Sequence, residues 1–366
     1  MAEVKLEGVN KRFVDHTALS GISLEIAEGE FFTLLGPSGC GKTTALRLVA
    51  GLELADQGRI WIGDRDVTLL APAQRRVAMV FQNYALYPHM SIAENISYPL
   101  RIRKMPKDRI QDKVNSVADK LYLGGLLDRM PSQVSGGQQQ RVAVARAMVQ
   151  DPLVYLFDEP LSNLDARLRL EARRFLKRIQ RETGITAIYV THDQTEAMAM
   201  SDRVAVLNDG RLMQVASPEK IYAEPANVFV AGFVGSPPMN LIEGKVEKEG
   251  LGSRFFAGEF SVELKDNIPL ENGANMTLGI RPEHVFFEPG EGFLRYEALI
   301  DDVEQLGSEM IFSLSIGEVV LLSRVWKGHA PNTGERAEIY LDPSAFHVFD
   351  DKGNRIPCGS LGISRG

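Results

Sequence analysis

The sequence predicts an α/β domain built on a parallel sheet, followed by a smaller all-β domain. Short apolar runs alternate with helical stretches through the first 235 residues, the pattern of a sheet covered by helices on both faces. The helical periodicity stops at Gly235-Ser236-Pro237-Pro238. Beyond it come short alternating segments parted by Gly, Asn, Asp and Pro, as in a small barrel or sandwich. The expected domains are therefore 1–235 and 236–366, consistent with a chain of 366 residues.

Each element has its own signal. Alternation in Val4-Lys5-Leu6 and Ile22-Ser23-Leu24-Glu25-Ile26 predicts antiparallel strands in 1–30. Phe31-Phe32-Thr33-Leu34-Leu35 is apolar on both faces and stops at Gly36, so it reads as a buried strand; a helix over 42–50 then ends near Gly51. Helical spacing returns over 106–130 and 139–150, the latter closed by Asp151-Pro152. A buried strand at 153–158, a long charged helix from 166 to about 182, and strands at 185–190 and 204–207 complete the first domain. In the second domain, strands are expected at 241–247, 254–264, 276–287, 310–315, 318–325 and 336–341.

Composition narrows the classes. Hydrophobic residues are 44% and charged residues 24%, ordinary for a globular chain, and the net charge of −7 does not call for nucleic acid. The two cysteines, Cys40 and Cys358, suit a reducing compartment, because Cys40 sits in a loop unsuited to a structural disulfide. The first residues lack a basic segment followed by an apolar core, so they do not read as a signal peptide. No run of 18 apolar residues occurs, so a role at a membrane would come through a partner.

Two motifs carry chemistry. Gly36-Pro37-Ser38-Gly39-Cys40-Gly41-Lys42-Thr43, with Thr44 beside it, matches G-x-x-x-x-G-K-[ST] between a strand and a helix. Its glycines let backbone N–H groups curl around phosphate oxygens at the positive end of the helix dipole. Lys42 is expected to reach the β- and γ-phosphates and Thr43 to ligate Mg²⁺. The strand at 153–158 ends in Asp158-Glu159-Pro160, two carboxylates where ligands gather in open α/β sheets. Asp158 is expected to hold Mg²⁺, and Glu159 to polarise the water that attacks the γ-phosphate. The expected ligands are thus ATP and Mg²⁺.

Ser135-Gly136-Gly137-Gln138, opening a helix, resembles the Leu-Ser-Gly-Gly-Gln signature of the ATP-binding-cassette (ABC) family of P-loop NTPases, with Val134 in place of the leucine. That resemblance implies a cassette with antiparallel β and helical subdomains. It also implies a dimer in which the signature of one chain faces the γ-phosphate held by the other, so that two ATPs are sandwiched. Other family positions follow in order. Phe13 matches the aromatic that stacks on adenine, Gln82 the glutamine that reaches Mg²⁺ and the attacking water, and His192 the switch histidine on the γ-phosphate. Ser162-Asn163-Leu164-Asp165 resembles the loop that crosses the dimer interface, and Asp165 belongs with the nucleotide-binding set. The aromatic segment Asn83 to Met90 corresponds to the region that receives a short helix from each membrane subunit.

The span from Lys42 to Ser135 leaves no room for the long coiled-coil insertion of chromosome-associated members, and one cassette without membrane helices points to a separate importer subunit. Leu161 to Arg169, Phe233 to Asn240, Gly279-Ile280-Arg281-Pro282-Glu283 and Phe346-His347-Val348-Phe349-Asp350 resemble the ATPases of bacterial carbohydrate importers, the maltose and glycerol-3-phosphate type. The implied second domain, 236–366, resembles an oligonucleotide-binding (OB) fold that helps hold the dimer together and can receive regulatory signals, with dimerisation favoured over direct sensing of a small molecule. The implied partners are a second copy or close paralogue, two transmembrane permease subunits and, indirectly, a solute-binding protein. The implied place is the cytoplasmic face of the inner membrane. Importer ATPases for polyamines, iron or other solutes, and a soluble regulatory ATPase, are the alternatives that the motifs leave open.

Overall fold

The computed structural model describes residues 1–249, 252–264, 271–326 and 331–356; Cys358 lies outside them. The chain divides into two compact units, Met1–Glu219 and Lys220–Gly366.

In the first unit, strands β1 (Val4–Arg12) and β2 (Thr17–Ile26) pair antiparallel with Val4 opposite Ile26 and Leu6 opposite Leu24. Strand β3 (Phe31–Leu35) is buried throughout and feeds helix α1 (Lys42–Ala50). Strands β4 (Gln57–Ile62) and β5 (Arg65–Asp66) complete a four-stranded antiparallel sheet in the order β2-β1-β4-β5. Its inward residues Val4, Leu6, Ile22, Leu24, Ile26, Ile60 and Ile62 join Leu34, Leu46 and Val49 in one core. Each such side chain stabilises the fold by about 1.5–3 kcal/mol when fully buried.

Strand β6 (Val77–Val80) is followed by helices α2 (Ile92–Ile102), α3 (Lys107–Lys120) and α4 (Gly136–Met148). Then come β7 (Val154–Asp158), α5 (Ala166–Thr183), β8 (Thr186–Thr191), α6 (Gln194–Met200), β9 (Arg203–Asn208) and β10 (Arg211–Ala216). The six-stranded sheet runs β10-β9-β3-β8-β7-β6, parallel except for β10. Strands β3, β7 and β8 lie at its centre, so the loops after them share one edge. Ile96, Leu100, Val114, Ala118, Val142 and Ala145 of α2–α4 pack with Tyr155 and Phe157 of β7, fixing the helical part to the sheet.

Four details depart from the sequence expectation, one being that the expected strand 276–287 stops at Ile280 and resumes at Val285–Phe286 after a 3-10 turn at Pro282–His284. Helix α3 ends at Lys120 instead of reaching 130, because Leu121 and Leu123 turn into the core and Tyr122 adopts φ 57° between them. Helix α4 starts at Gly136 rather than 139, since Ser135 and Gln138 form a capping box three residues earlier. The expected strand 254–264 is a hairpin that turns at Gly258-Glu259.

Helix α7 (Pro218–Ala223) spans the division between units, and α8 (Val228–Phe233) belongs to the second. The second compact unit begins at Lys220, ahead of the expected domain start at 236, and the packing of 220–234 gives the reason. Ala231 and Val228 pack with Met239 and Phe349, and the buried Arg281 guanidinium donates to the carbonyls of Tyr222 and Val234 while lying over the Tyr222 ring.

The second unit is all-β beyond α8. Its strands are β11 (Asn240–Glu249), β12 (Gly252–Ala257), β13 (Phe260–Leu264), β14 (Asn275–Ile280), β15 (Val285–Phe286), β16 (Leu294–Gln305), β17 (Glu309–Ile316), β18 (Val319–Trp326), β19 (Arg336–Leu341) and β20 (His347–Phe349). Two five-stranded sheets, β13-β12-β11-β14-β20 and β15-β19-β16-β17-β18, enclose one core that includes Phe255, Phe260, Leu278, Phe312, Leu321 and Ile339. The Asn240 amide donates to Leu322 O at 2.8 Å and accepts from Leu322 N at 2.7 Å, joining the two sheets towards a barrel. Among the described residues no helix is long and apolar enough to cross a membrane.

Candidate active site

The site is assembled at the carboxyl edge of the parallel sheet, from the loops that follow β3, β6, β7 and β8. After β3 the chain turns through Gly36–Thr43, where Gly41 sits at φ 104°. A Cβ on Gly41 would meet Ala18 O at 2.3 Å, and one on Gly36 would meet Leu207 O at 2.3 Å, so neither position has room for a side chain. Lys42 is 4% exposed and its Nζ donates to Gly36 O and Pro37 O, both at 2.8 Å. The ammonium is thereby folded back over the loop whose amides open helix α1. At the far end of α1, Arg75 donates to Leu48 O and Val49 O, anchoring the helix from behind. Burial raises the Cys40 thiol above its usual value, against the lowering pull of Lys42, so it is held as an unreactive thiol.

Strand β7 delivers Asp158 opposite this loop, and Thr43 Oγ1 donates to Asp158 Oδ1 at 3.0 Å. Asp158 is 7% exposed. Burial raises its carboxyl above the usual range, with the Thr43 hydroxyl, Arg47 and Lys42 pulling the other way and Glu159 adding to the rise. A hydroxyl and a carboxylate facing each other are hard oxygen ligands and fit Mg²⁺. Among the described residues no group of three or more His, Cys, Asp or Glu could hold a metal by itself, so the other ligands would come from phosphate, water and a neutral side chain such as Gln82.

Glu159 follows at φ 44°, with its N–H donated to Val190 O on β8 at 3.1 Å. A non-glycine residue in this left-handed region is uncommon, and strain of this kind gathers at functional sites. The turn points the Glu159 carboxylate at His192, Oε2 to Nδ1 3.0 Å. His192 is exposed, at the first position after β8.

The other expected residues are placed around this centre. Gln82 is exposed in the turn after β6, and its carbonyl accepts from Asn163 Nδ2 at 3.0 Å, which links it to the loop after Glu159. Ser135 caps α4 through Gln138, and Gly136 and Gly137 stand beside Leu164 and Leu168. Asp165 caps α5, accepting from Leu168 N at 2.9 Å. Phe13 stacks on His16 with centroids 5.4 Å apart, the Lys11 ammonium 5.3 Å from its ring.

The sequence reasoning missed two arginines that build the site. Arg146 of α4 donates to Tyr84 O and Ala85 O at 2.8 and 2.7 Å and lies over the Tyr87 ring, holding the turn after Gln82 to the helix that Ser135 opens. Arg169 of α5 reaches both Leu164 O and Asp193. Neither has a local signal beyond a charge on a helix.

The chain resembles known proteins along nearly its whole length. Residues 19–162 match the ABC transporter family, 235–285 the MalK OB fold domain and 278–349 the TOBE domain. The chain is 46% identical to the trehalose/maltose import ATP-binding protein MalK of Thermococcus litoralis, over 96% of this chain and 98% of that one. It is 45% identical to the sn-glycerol-3-phosphate import ATP-binding protein UgpC of Escherichia coli K12, over 97% of this chain and 100% of that one. Among solved structures, a dimeric ATP-binding cassette in a post-hydrolysis state bound to ADP and Pi aligns with TM-score 0.53 and 31% identity, over 59% of this chain and 98% of that one. The structure of cbiO1 from Clostridium perfringens, part of an ABC transporter complex, aligns with TM-score 0.57 and 30% identity, over 60% of this chain and 90% of that one.

Proposed function

The chain belongs to the ABC transporter family as an ATP-hydrolysing import subunit for carbohydrate, and from that premise we propose how its residues divide the work. The observation that carries the reading is the Glu159 carboxylate 3.0 Å from His192, at the sheet edge that also holds the Thr43–Asp158 pair.

In this reading the phosphates lie on the amides of Gly36–Thr44, and the Lys42 ammonium exchanges its two loop carbonyls for β- and γ-phosphate oxygens. Thr43, Asp158 and, from the turn after β6, Gln82 hold Mg²⁺, which when bound supplies neutralisation of phosphate charge. Glu159 takes a proton from the attacking water, and His192 holds both the Glu159 carboxylate and the γ-phosphate. Phe13 offers its ring face to the adenine.

The chain works as a dimer with membrane permease components. We assign the partner's Ser135–Gln138 segment, a helix N-terminus with its capping serine, to the far side of the γ-phosphate, with Asp165 in the loop nearby. Only nucleotide completes such an interface, so ATP closes the dimer and hydrolysis lets it open. The dimer sits at the cytoplasmic face of the inner membrane, where two transmembrane permease subunits convert that cycle into alternating access, and a solute-binding protein delivers the carbohydrate to them. The second unit serves dimerisation.

Affinity purification of the tagged chain from mildly solubilised host membranes tests the assembly. Two multi-span membrane proteins are expected with it. Recovery of soluble proteins alone, with ATP present, would contradict the importer reading.

A further inference from the structure

We propose that Arg169 is a positioning residue for hydrolysis, a two-sided tie that fixes the loop after Glu159 to the turn that carries His192. The proposal rests on the reading of Glu159 and His192 as the hydrolytic pair.

One guanidinium makes the tie. Its Nη2 donates to Leu164 O at 3.1 Å, and its Nη1 donates to Asp193 Oδ2 at 3.5 Å. Its Nε stands 3.9 Å from Glu196 Oε1, an ion-pair rather than a hydrogen-bond distance. Each side is rigid where Arg169 grips it. On one side, Ser162 N and Oγ donate to Glu159 O at 3.3 and 3.0 Å, and Leu164 N donates to Leu161 O at 3.1 Å. Holding Leu164 therefore holds the turn that aims Glu159. On the other side, Asp193 Oδ1 caps α6 by accepting from Thr195 N and Glu196 N, and Thr191 Oγ1 accepts from Asp193 N at 2.9 Å. Glu196 Oε2 accepts from Tyr189 and Thr191 hydroxyls, both at 2.7 Å. His192 lies between Thr191 and Asp193, so every neighbour of its backbone is tied into this group.

The chemistry asks for arginine. Glu196 is 3% exposed, and burial raises its carboxyl above the usual range, with the Thr191 and Tyr189 hydroxyls and, last, the Arg169 charge pulling the other way, a pull that lysine could also supply. Only the planar fork can donate to the Leu164 carbonyl on one side and to the Asp193 carboxylate on the other at once. The 3.0 Å spacing of Glu159 and His192 spans the ends of the two strands that Arg169 ties from the side.

The test measures kcat and KM for ATP in the full-length chain carrying Arg169→Ala, Arg169→Lys, His192→Ala and the Arg169→Ala/His192→Ala pair. A misplacement of about 1 Å at a reacting group can cost about 100-fold in rate, so Arg169→Ala is expected to lower kcat by about 10- to 100-fold with KM within about twofold. Arg169→Lys is expected to keep the thermal midpoint but recover little of kcat; if Arg169→Ala folds poorly, this variant carries the test. On the His192→Ala background, loss of Arg169 is expected to add less than about twofold, since both act through one pair. Full kcat in Arg169→Lys, or equal losses from Arg169→Ala with and without His192, would overturn the tie alone. Wild-type kcat in His192→Ala would overturn the underlying reading of His192.

Discussion

Glu159 Oε2 lies 3.0 Å from His192 Nδ1, across the ends of two adjacent parallel strands. Their registers make this possible. Asp158 is level with Val190, so Glu159 and His192 each fall just past the end of a buried strand, and the φ of 44° at Glu159 swings its side chain across. A carboxylate that accepts from an imidazole N–H is held in one rotamer, and a base held in place loses less entropy when it meets its water. The sheet supplies the spacing and the turn supplies the aim.

Removing Lys42 should uncouple the loop from phosphate. In Lys42→Ala, ATP affinity is expected to fall by about 10- to 100-fold, the equivalent of charge-assisted hydrogen bonds of about 1.5–3 kcal/mol. Titration with a fluorescent nucleotide checks this, and wild-type affinity would contradict the phosphate role of a side chain that is 4% exposed.

Asp158 gives a prediction about stability. Its folded-state carboxyl titrates above the ordinary 3.8 because of burial, so between those values the native state binds more protons than the unfolded one. Stability therefore falls as pH rises from 3.8 through the raised folded-state value, and the penalty is complete above it. Asp158→Asn can still accept from Thr43, and it removes the charge. Its thermal midpoint without nucleotide is expected to exceed wild type at neutral pH, while hydrolysis is lost with the metal ligand. A lower midpoint would show that the carboxylate stabilises the apo site.

His347 makes the second unit sensitive to acid. Burial, helped by Arg355, Arg281 and His284, lowers its ring to about 4 from 6.5, and its Nδ1 is buried without a hydrogen-bond partner. Between those values the unfolded chain binds the proton and the native chain does not, so stability is lost as pH falls from 6.5 through about 4. Denaturant unfolding of His347→Leu should show a weaker loss over that window than wild type. An identical pH dependence would remove His347 as the cause.

What was legible in the sequence is what is local. Gly36–Thr43 and Asp158-Glu159 announce themselves because strand, loop and helix are contiguous, and the turns need glycine or a carboxylate at fixed places. The alternation of 241–247 and 336–341 likewise gave the strands of the second unit, since the side-chain period is local. Helix α2 was missed although Ser91 and Glu94 form a capping box, because Pro99 inside it reads as a breaker. Arg75, Arg146 and Arg169 were illegible for a different reason. Each has a partner that folding brings from a distant loop or helix end, carbonyls for Arg75 and Arg146 and the Asp193 carboxylate for Arg169, and an arginine on its own says nothing about where those groups will lie. The segment 220–234 looked like part of the first domain because it is helical; its partners Met239, Arg281 and Phe349 lie downstream.

Glu159→Gln tests the central claim most directly. Glutamine keeps the size and the contact with His192 but cannot take a proton from water, and loss of a general base costs about 100- to 10,000-fold. ATP turnover and oligomeric state would be measured on the same preparation with ATP and Mg²⁺. The expected result is nucleotide bound at wild-type affinity, turnover reduced by at least about 100-fold, and a dimer that persists while ATP remains. Turnover at the wild-type rate would contradict the assignment of Glu159 as the base, and with it the account of how this site hydrolyses ATP.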